Sequence, residues 1–147
     1  MLYGRLVGTW DIQARQLVDG AWREAQGEWH FGWGLEGLAV IDVIHSPTRT
    51  ELTSGKALAD IGMTIRVYDP ETDTWQVTFV TAVGRRVERL TGRRVGNDIH
   101  QDGTGSDGRP IRWNFTDITT DSCRWRGYAS NDSGKTWLLN EEMHLRR

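Results

Sequence analysis

Large apolar and polar residues alternate along most of this chain, as in Gly27-Glu28-Trp29-His30-Phe31-Gly32-Trp33 and Ile111-Arg112-Trp113-Asn114-Phe115. Alternation with a period of two marks strands with one dry and one wet face. Thr9 to Leu17 is predicted as a first strand, with Trp10, Ile12 and Ala14 on one face, closed by the turn Val18-Asp19-Gly20. A long second strand spans Trp22 to Trp33, and Leu35-Glu36-Gly37 turns the chain into a third, Leu38 to Ser46, that is apolar on both faces. The polar stretch Pro47 to Lys56 suits a lid or an ordinary surface connection.

Further on, Ile61 to Tyr68 and Trp75 to Ala82 flank the turn residues Asp69-Pro70-Glu71-Thr72-Asp73. Arg86 to Arg93 and Asp98 to Asp102 flank Gly96-Asn97, with Gly103 to Pro110 as loop; Ile111 to Ile118, Cys123 to Ser130 and Thr136 to Leu145 complete the set. About ten short strands at spacings of roughly 8 to 12 residues, with no major helix, predict an all-β chain. Sequential hairpins predict an antiparallel up-and-down β-barrel, since closure removes the edges that a long meander leaves exposed. With 147 residues, positions 1–147 form one domain.

Composition gives the barrel a lining. Eight tryptophans are present, and a closed sheet carrying them inward is an aromatic-walled container. Lys plus Arg number 18 against 20 acidic residues, a net charge of -2 with no long block of one sign, so neither nucleic acid nor a membrane surface is expected as partner. Arg85-Arg86 and Arg93-Arg94 read as solvated hairpin rims. The start Met1 to Trp10 lacks the apolar core of a signal peptide and no stretch approaches a membrane span, which predicts a cytoplasmic protein. Cys123 is alone and reads as a small buried hydrophobe.

At Gly8-Thr9-Trp10 the chain resembles the opening strand of the lipocalin and calycin barrels. The resemblance implies that Trp10 closes one end and that an arginine of the last strand, Arg146, packs over it. Phe31-Gly-Trp33-x-Leu-x-Gly37, Tyr68-Asp69-Pro70 followed by Trp75, and Glu141-x-Met143 extend it over most of the chain, toward bacterial lipocalin-like proteins whose domain has no assigned function. It implies a fold and a pocket but no catalytic residue, and the missing leader and disulfide weigh against an extracellular carrier. Ser130-Asn-Asp132-Ser-Gly134-Lys-Thr136-Trp137 matches the Asp-box of propeller hairpins; in one copy it reads as a well-built turn.

Polar residues interrupting apolar strands are the candidate site. Asp42 and Arg66 interrupt the third and fourth strands, and Glu141 shares a face with Trp137, Leu139, Met143 and Leu145. A charge inside a barrel must be paired, and a carboxyl held among apolar groups has its pKa raised. Trp33, Phe79, Trp113 and Trp125 are expected to line the cavity with Asp42, Arg66 and Glu141 as its polar anchors. The four histidines His30, His45, His100 and His144 show no zinc-motif spacing, and His30 is out of phase with the inward aromatics, so neither metal nor cofactor is expected. Two functions fit: binding of an apolar or aromatic small molecule bearing an anionic group, or a cofactor-free isomerase, cyclase or lyase in which Asp42 or Glu141 moves a proton. The two-faced apolar strand Leu38 to Ser46 predicts a homodimer, unless Pro47 to Lys56 folds back over it.

Overall fold

A computed structural model describes residues 1–147, and in it ten antiparallel strands close into a barrel. They are β1 (Gly8–Val18), β2 (Ala21–Gly34), β3 (Ala39–Ser46), β4 (Asp60–Asp69), β5 (Thr74–Thr81), β6 (Arg86–Val95), β7 (Asp98–Thr104), β8 (Pro110–Thr116), β9 (Ser122–Ala129) and β10 (Leu138–Arg146). Each strand pairs with its neighbours in sequence, and β1 pairs with β10, from Asp11 opposite Arg146 to Gln16 opposite Glu141. No helix is long and apolar enough to cross a membrane.

Because opposed residues share a face, the pairings fix the interior. Trp10 lies opposite Trp29, Phe31 opposite Asp42, Asp42 opposite Thr64, and Phe115 opposite Trp125. One regular phase thus carries Trp10, Trp29, Phe31, Trp113, Phe115 and Trp125 inward, as the alternation in sequence predicts. On β10 the phase breaks: the pairing slips between Leu139 and Glu141, a bulge at Asn140. Glu141 and Met143 therefore point inward, whereas Leu139 lies opposite the outward Tyr128, so the expected common face for Leu139 and Glu141 does not exist.

The two ends differ. At one, a 3-10 turn, Tyr3–Leu6, tucks under the barrel with Tyr3 and Leu6 fully buried. Gly92 makes room for it, since a side chain there would collide with the Tyr3 hydroxyl. Trp10 is also fully buried, and its indole N–H donates to the Leu6 carbonyl at 2.7 Å. The arginine over Trp10 is Arg147, its guanidinium 4.0 Å from the ring centre, and not Arg146. Arg146 is exposed because it follows the inward Leu145 and alternation turns it out. Arg147 donates to the carbonyls of Val7, Arg5 and Thr120 and so laces both termini to this end.

The opposite end is open and ringed by alternate connections, those after β1, β3, β5, β7 and β9. The longest holds a single helical turn, α1 (Arg49–Thr53), with a complete capping box between Thr48 and Glu51. It folds back over the outer face of β3 at His45, which is 2% exposed, but leaves Val43 at 37%. The Asp-box segment forms the hairpin turn expected of it. The Asp132 carboxylate accepts from the backbone and hydroxyl of Thr136 at 2.8 and 2.6 Å, which hold its pKa down at about 2, and Gly134 has φ 87°.

Burial of Trp10 makes the closed end testable. Truncating a fully buried tryptophan costs on the order of 3–5 kcal/mol, which for a chain of this size lowers the melting temperature by roughly 10 °C. Thermal unfolding of Trp10→Ala should show that loss, and wild-type stability would contradict the packing described.

Candidate functional site

Between the plugged end and the open mouth lies a cavity of about 620 Å³, inside the usual range for small-molecule sites. Its aromatic wall is continuous. The Phe79 and Trp113 rings meet edge-on with centres 5.5 Å apart, Trp113 and Trp125 are separated by 5.7 Å, and Trp125 and Trp29 by 6.4 Å. Phe79, Trp113 and Trp125, the three aromatic candidates from strands β5, β8 and β9, are thus brought together. Trp29, which alternates into the same face, joins them, and its indole N–H has no acceptor in the protein.

Trp33 does not line this cavity. It has the right phase but sits at the last turn of β2, past the barrel floor, where its ring packs on Gly4 and stays 50% exposed. Alternation assigns a side chain to a face; only the position along the strand assigns it to the cavity.

On the floor, Asp42 of β3 and Arg66 of β4 form an ion pair, with Arg66 Nη1 donating to Asp42 Oδ2. Both are almost fully buried. Arg66 is held on its other sides as well: Nε donates to Gln101 Oε1 at 3.5 Å, and the rings of Tyr3 and Phe31 lie 5.0 and 5.4 Å from the guanidinium carbon. Tyr3 donates to the same Gln101 oxygen at 2.9 Å, and burial pushes its phenol above the ordinary range. Gln101 Nε2 donates to the Trp113 carbonyl, which ties the network to the aromatic wall. Arg66 Nη2 donates to no protein group, and Arg66 contributes to the cavity surface while Asp42 sits behind it. The arrangement leaves one guanidinium nitrogen free on the floor of an apolar chamber.

Higher up, Glu141 faces the cavity from β10 and remains half-buried, because the surface it keeps is turned to the chamber. Its carboxyl makes no hydrogen bond or ion pair. Burial pushes its pKa up to about 7, with a smaller push from Asp60 and an opposing pull from Arg86. Glu88, also inward, is spoken for: its carboxylate accepts from the Ser106 backbone at 2.8 Å and hydroxyl at 3.1 Å, clamping the β7–β8 connection at the mouth. Gln101 and Glu88 interrupt no apolar run, because β6 and β7 hold few apolar residues. Their only sequence signal is parity with Ile99 and Leu90.

The isolated Cys123 is buried at the closed end, and desolvation lifts its thiol to about 12, so it behaves as an apolar filler. His, Cys and acidic side chains close enough to share an ion occur in one place, at Glu28, His30 and His45, on the outside of the barrel.

No family model matches the chain, and no curated protein matches it in sequence. Solved structures do match in shape. The S-type phycobiliprotein lyase CPES of Guillardia theta superposes with a TM-score of 0.62 at 10% identity, over 99% of this chain and 89% of that one. The redesigned β-barrel mFAP0, bound to DFHBI, gives 0.49 at 14% identity over 97% and 99% of the two chains. At such identities the likeness to the lyase is one of fold, that of a closed antiparallel β-barrel.

Proposed function

We propose that the barrel binds an apolar, largely aromatic small molecule that enters through the open mouth and places an anionic or carbonyl oxygen against Arg66. The carrying observation is the pairing of a continuous wall, Phe79-Trp113-Trp125-Trp29, with one unsatisfied guanidinium nitrogen on the floor. Aromatic faces supply contact area with little polar demand, and a single fixed donor sets orientation. Asp42 neutralises Arg66 overall, so selectivity arises from the directed Nη2 donor more than from a positive field. A cytoplasmic carrier or sensor is the role proposed.

The enzymatic reading rests on Glu141 alone. Asp42 is ion-paired with Arg66 behind the cavity surface, whereas Glu141 is unpaired, faces the chamber and has its pKa pushed up to about 7. An isomerase, cyclase or lyase also needs a second group across the substrate, and Arg66 on the floor is the available one.

The outer sheet face supports a further part of the proposal, a homodimer. Val43, Met63, Val80 and Val87 are successive cross-strand partners on β3 to β6 and form a row 37%, 46%, 38% and 51% exposed. An isologous contact would cover the row. Light scattering at micromolar concentration should give a dimer that Met63→Glu converts to monomer, and a strictly monomeric wild type would exclude it.

For ligand binding, Arg66→Met alone leaves the Asp42 carboxylate buried and unpaired, a loss of about 3–5 kcal/mol in stability. The double change Asp42→Asn with Arg66→Met removes both charges and is the cleaner test. A charge-assisted hydrogen bond is worth about 1.5–3 kcal/mol, so the double variant should bind anilinonaphthalene sulfonate at least about tenfold more weakly and a neutral naphthalene analogue nearly as well as wild type. Equal losses would reduce Arg66 to a packing role, and unchanged binding of both probes would remove the floor from the site.

Glu141 gives a pH signature. Its folded pKa, about 7, lies above the unfolded value near 4.5, so between these limits the folded state holds more protons. Stability associated with the protonated carboxyl is complete below pH 4.5 and is lost as pH rises through 7. Urea unfolding of Glu141→Gln should lack this decline and gain on wild type as pH goes from 5 to 8. Parallel pH profiles would show that Glu141 is hydrated and titrates normally.

A further inference from the structure

Outside the barrel, near the mouth, Glu28 and His30 occupy alternate positions of β2, and His45 stands opposite Glu28 on β3. Their nearest atoms form a nearly equilateral triangle. His30 Nε2 and His45 Nε2 are 3.4 Å apart, and Glu28 Oε2 is 3.4 Å from the first and 3.5 Å from the second. At metal–ligand distances of about 2.0–2.1 Å, the edges of a tetrahedron are about 3.3–3.4 Å. The three atoms are therefore spaced as three ligands of one tetrahedral ion.

The groups behind them fix which atoms converge. His45 Nδ1 is 2.9 Å from the Pro47 carbonyl, which accepts its N–H and leaves Nε2 as a lone pair. His30 Nδ1 is 3.1 Å from Thr9 Oγ1, which accepts an N–H from it in the tautomer that frees Nε2. Glu28 Oε1 accepts from the Arg49 backbone at 2.7 Å, turning Oε2 toward the imidazoles. Metal-bound histidines and carboxylates are commonly oriented by such outer partners. In the tautomers these partners select, three lone pairs converge at distances that a shared cation would stabilise. The His45 side chain is 2% exposed, Glu28 17% and His30 39%, so one side of the triangle stays open to water.

We infer that Glu28, His30 and His45 form a binding site for a divalent metal of the zinc type, with water as fourth ligand. Two imidazoles favour late first-row ions over magnesium or calcium. Since Glu28 and His45 also hold the backbone at Arg49 and Pro47, the ion would brace the α1 connection against the barrel beside the mouth.

The test uses the purified chain without a histidine tag. Competition with a fluorescent zinc chelator should show one equivalent of zinc bound, weakened on the order of a hundredfold or more in His30→Ala and in Glu28→Gln, and unaffected in His144→Ala. The first two alter partly exposed positions, and circular dichroism checks that each is folded. Cobalt should give the intense visible band of a tetrahedral site. Failure of folded wild-type protein to take up zinc, or retention of wild-type affinity by His30→Ala and Glu28→Gln, would overturn the site, and a weak octahedral cobalt spectrum would overturn its geometry.

Discussion

Pairing of β1 with β10 is the contact on which the rest depends. It leaves no free edge in a sheet of ten strands, and 80 of the 93 backbone hydrogen bonds lie within the regular elements it joins. Closure also forces every strand to present one face to a common interior. With 63% of the chain in strands, most of the sequence must obey a two-residue rhythm, and departures from it carry meaning. The bulge at Asn140 is one such departure, and without it Glu141 and Leu139 would share a face.

Closure also sets the electrostatics of the interior. A charge on an inward position cannot reach bulk water sideways, so it must find a partner on another strand or change its protonation. Asp42 and Arg66, one strand apart, take the first course and draw Gln101 and Tyr3 into their network. Glu141, across the chamber, takes the second. The polar residues are thus graded along the barrel axis, from an ion-paired floor to an upper wall whose carboxyl is unpaired.

Most of the fold was legible because alternation is a local signal. The ten strands, their turns and the inward phase of Trp10, Phe79, Trp113 and Trp125 follow from neighbours a few residues apart. What failed to show depends on distance along a strand or on contacts between strands. Trp33 has the correct phase but lies beyond the floor, and Arg147 takes the place expected of Arg146 because the alternation after Leu145 runs one residue further. The register that sets His30 and His45 beside Glu28 is invisible in spacing, although Glu28-x-His30 already places two ligands on one face. The ligand itself leaves no mark, since a packed aromatic wall specifies shape and not identity.

The lacing of the closed end has a kinetic side. Arg147 meets Val7 and Arg5 across separations of 140 and 142 residues, and β10 must reach β1 across almost the whole chain. Contacts of such long range form slowly, because the loop they close costs entropy before any bond repays it. While the chain is being synthesised, β1 keeps an unpaired edge and the aromatic face stays open until β10 emerges. The same closure that makes the finished barrel edge-free makes the nascent chain dependent on its last strand, and the interval before that strand arrives is when aggregation competes with folding.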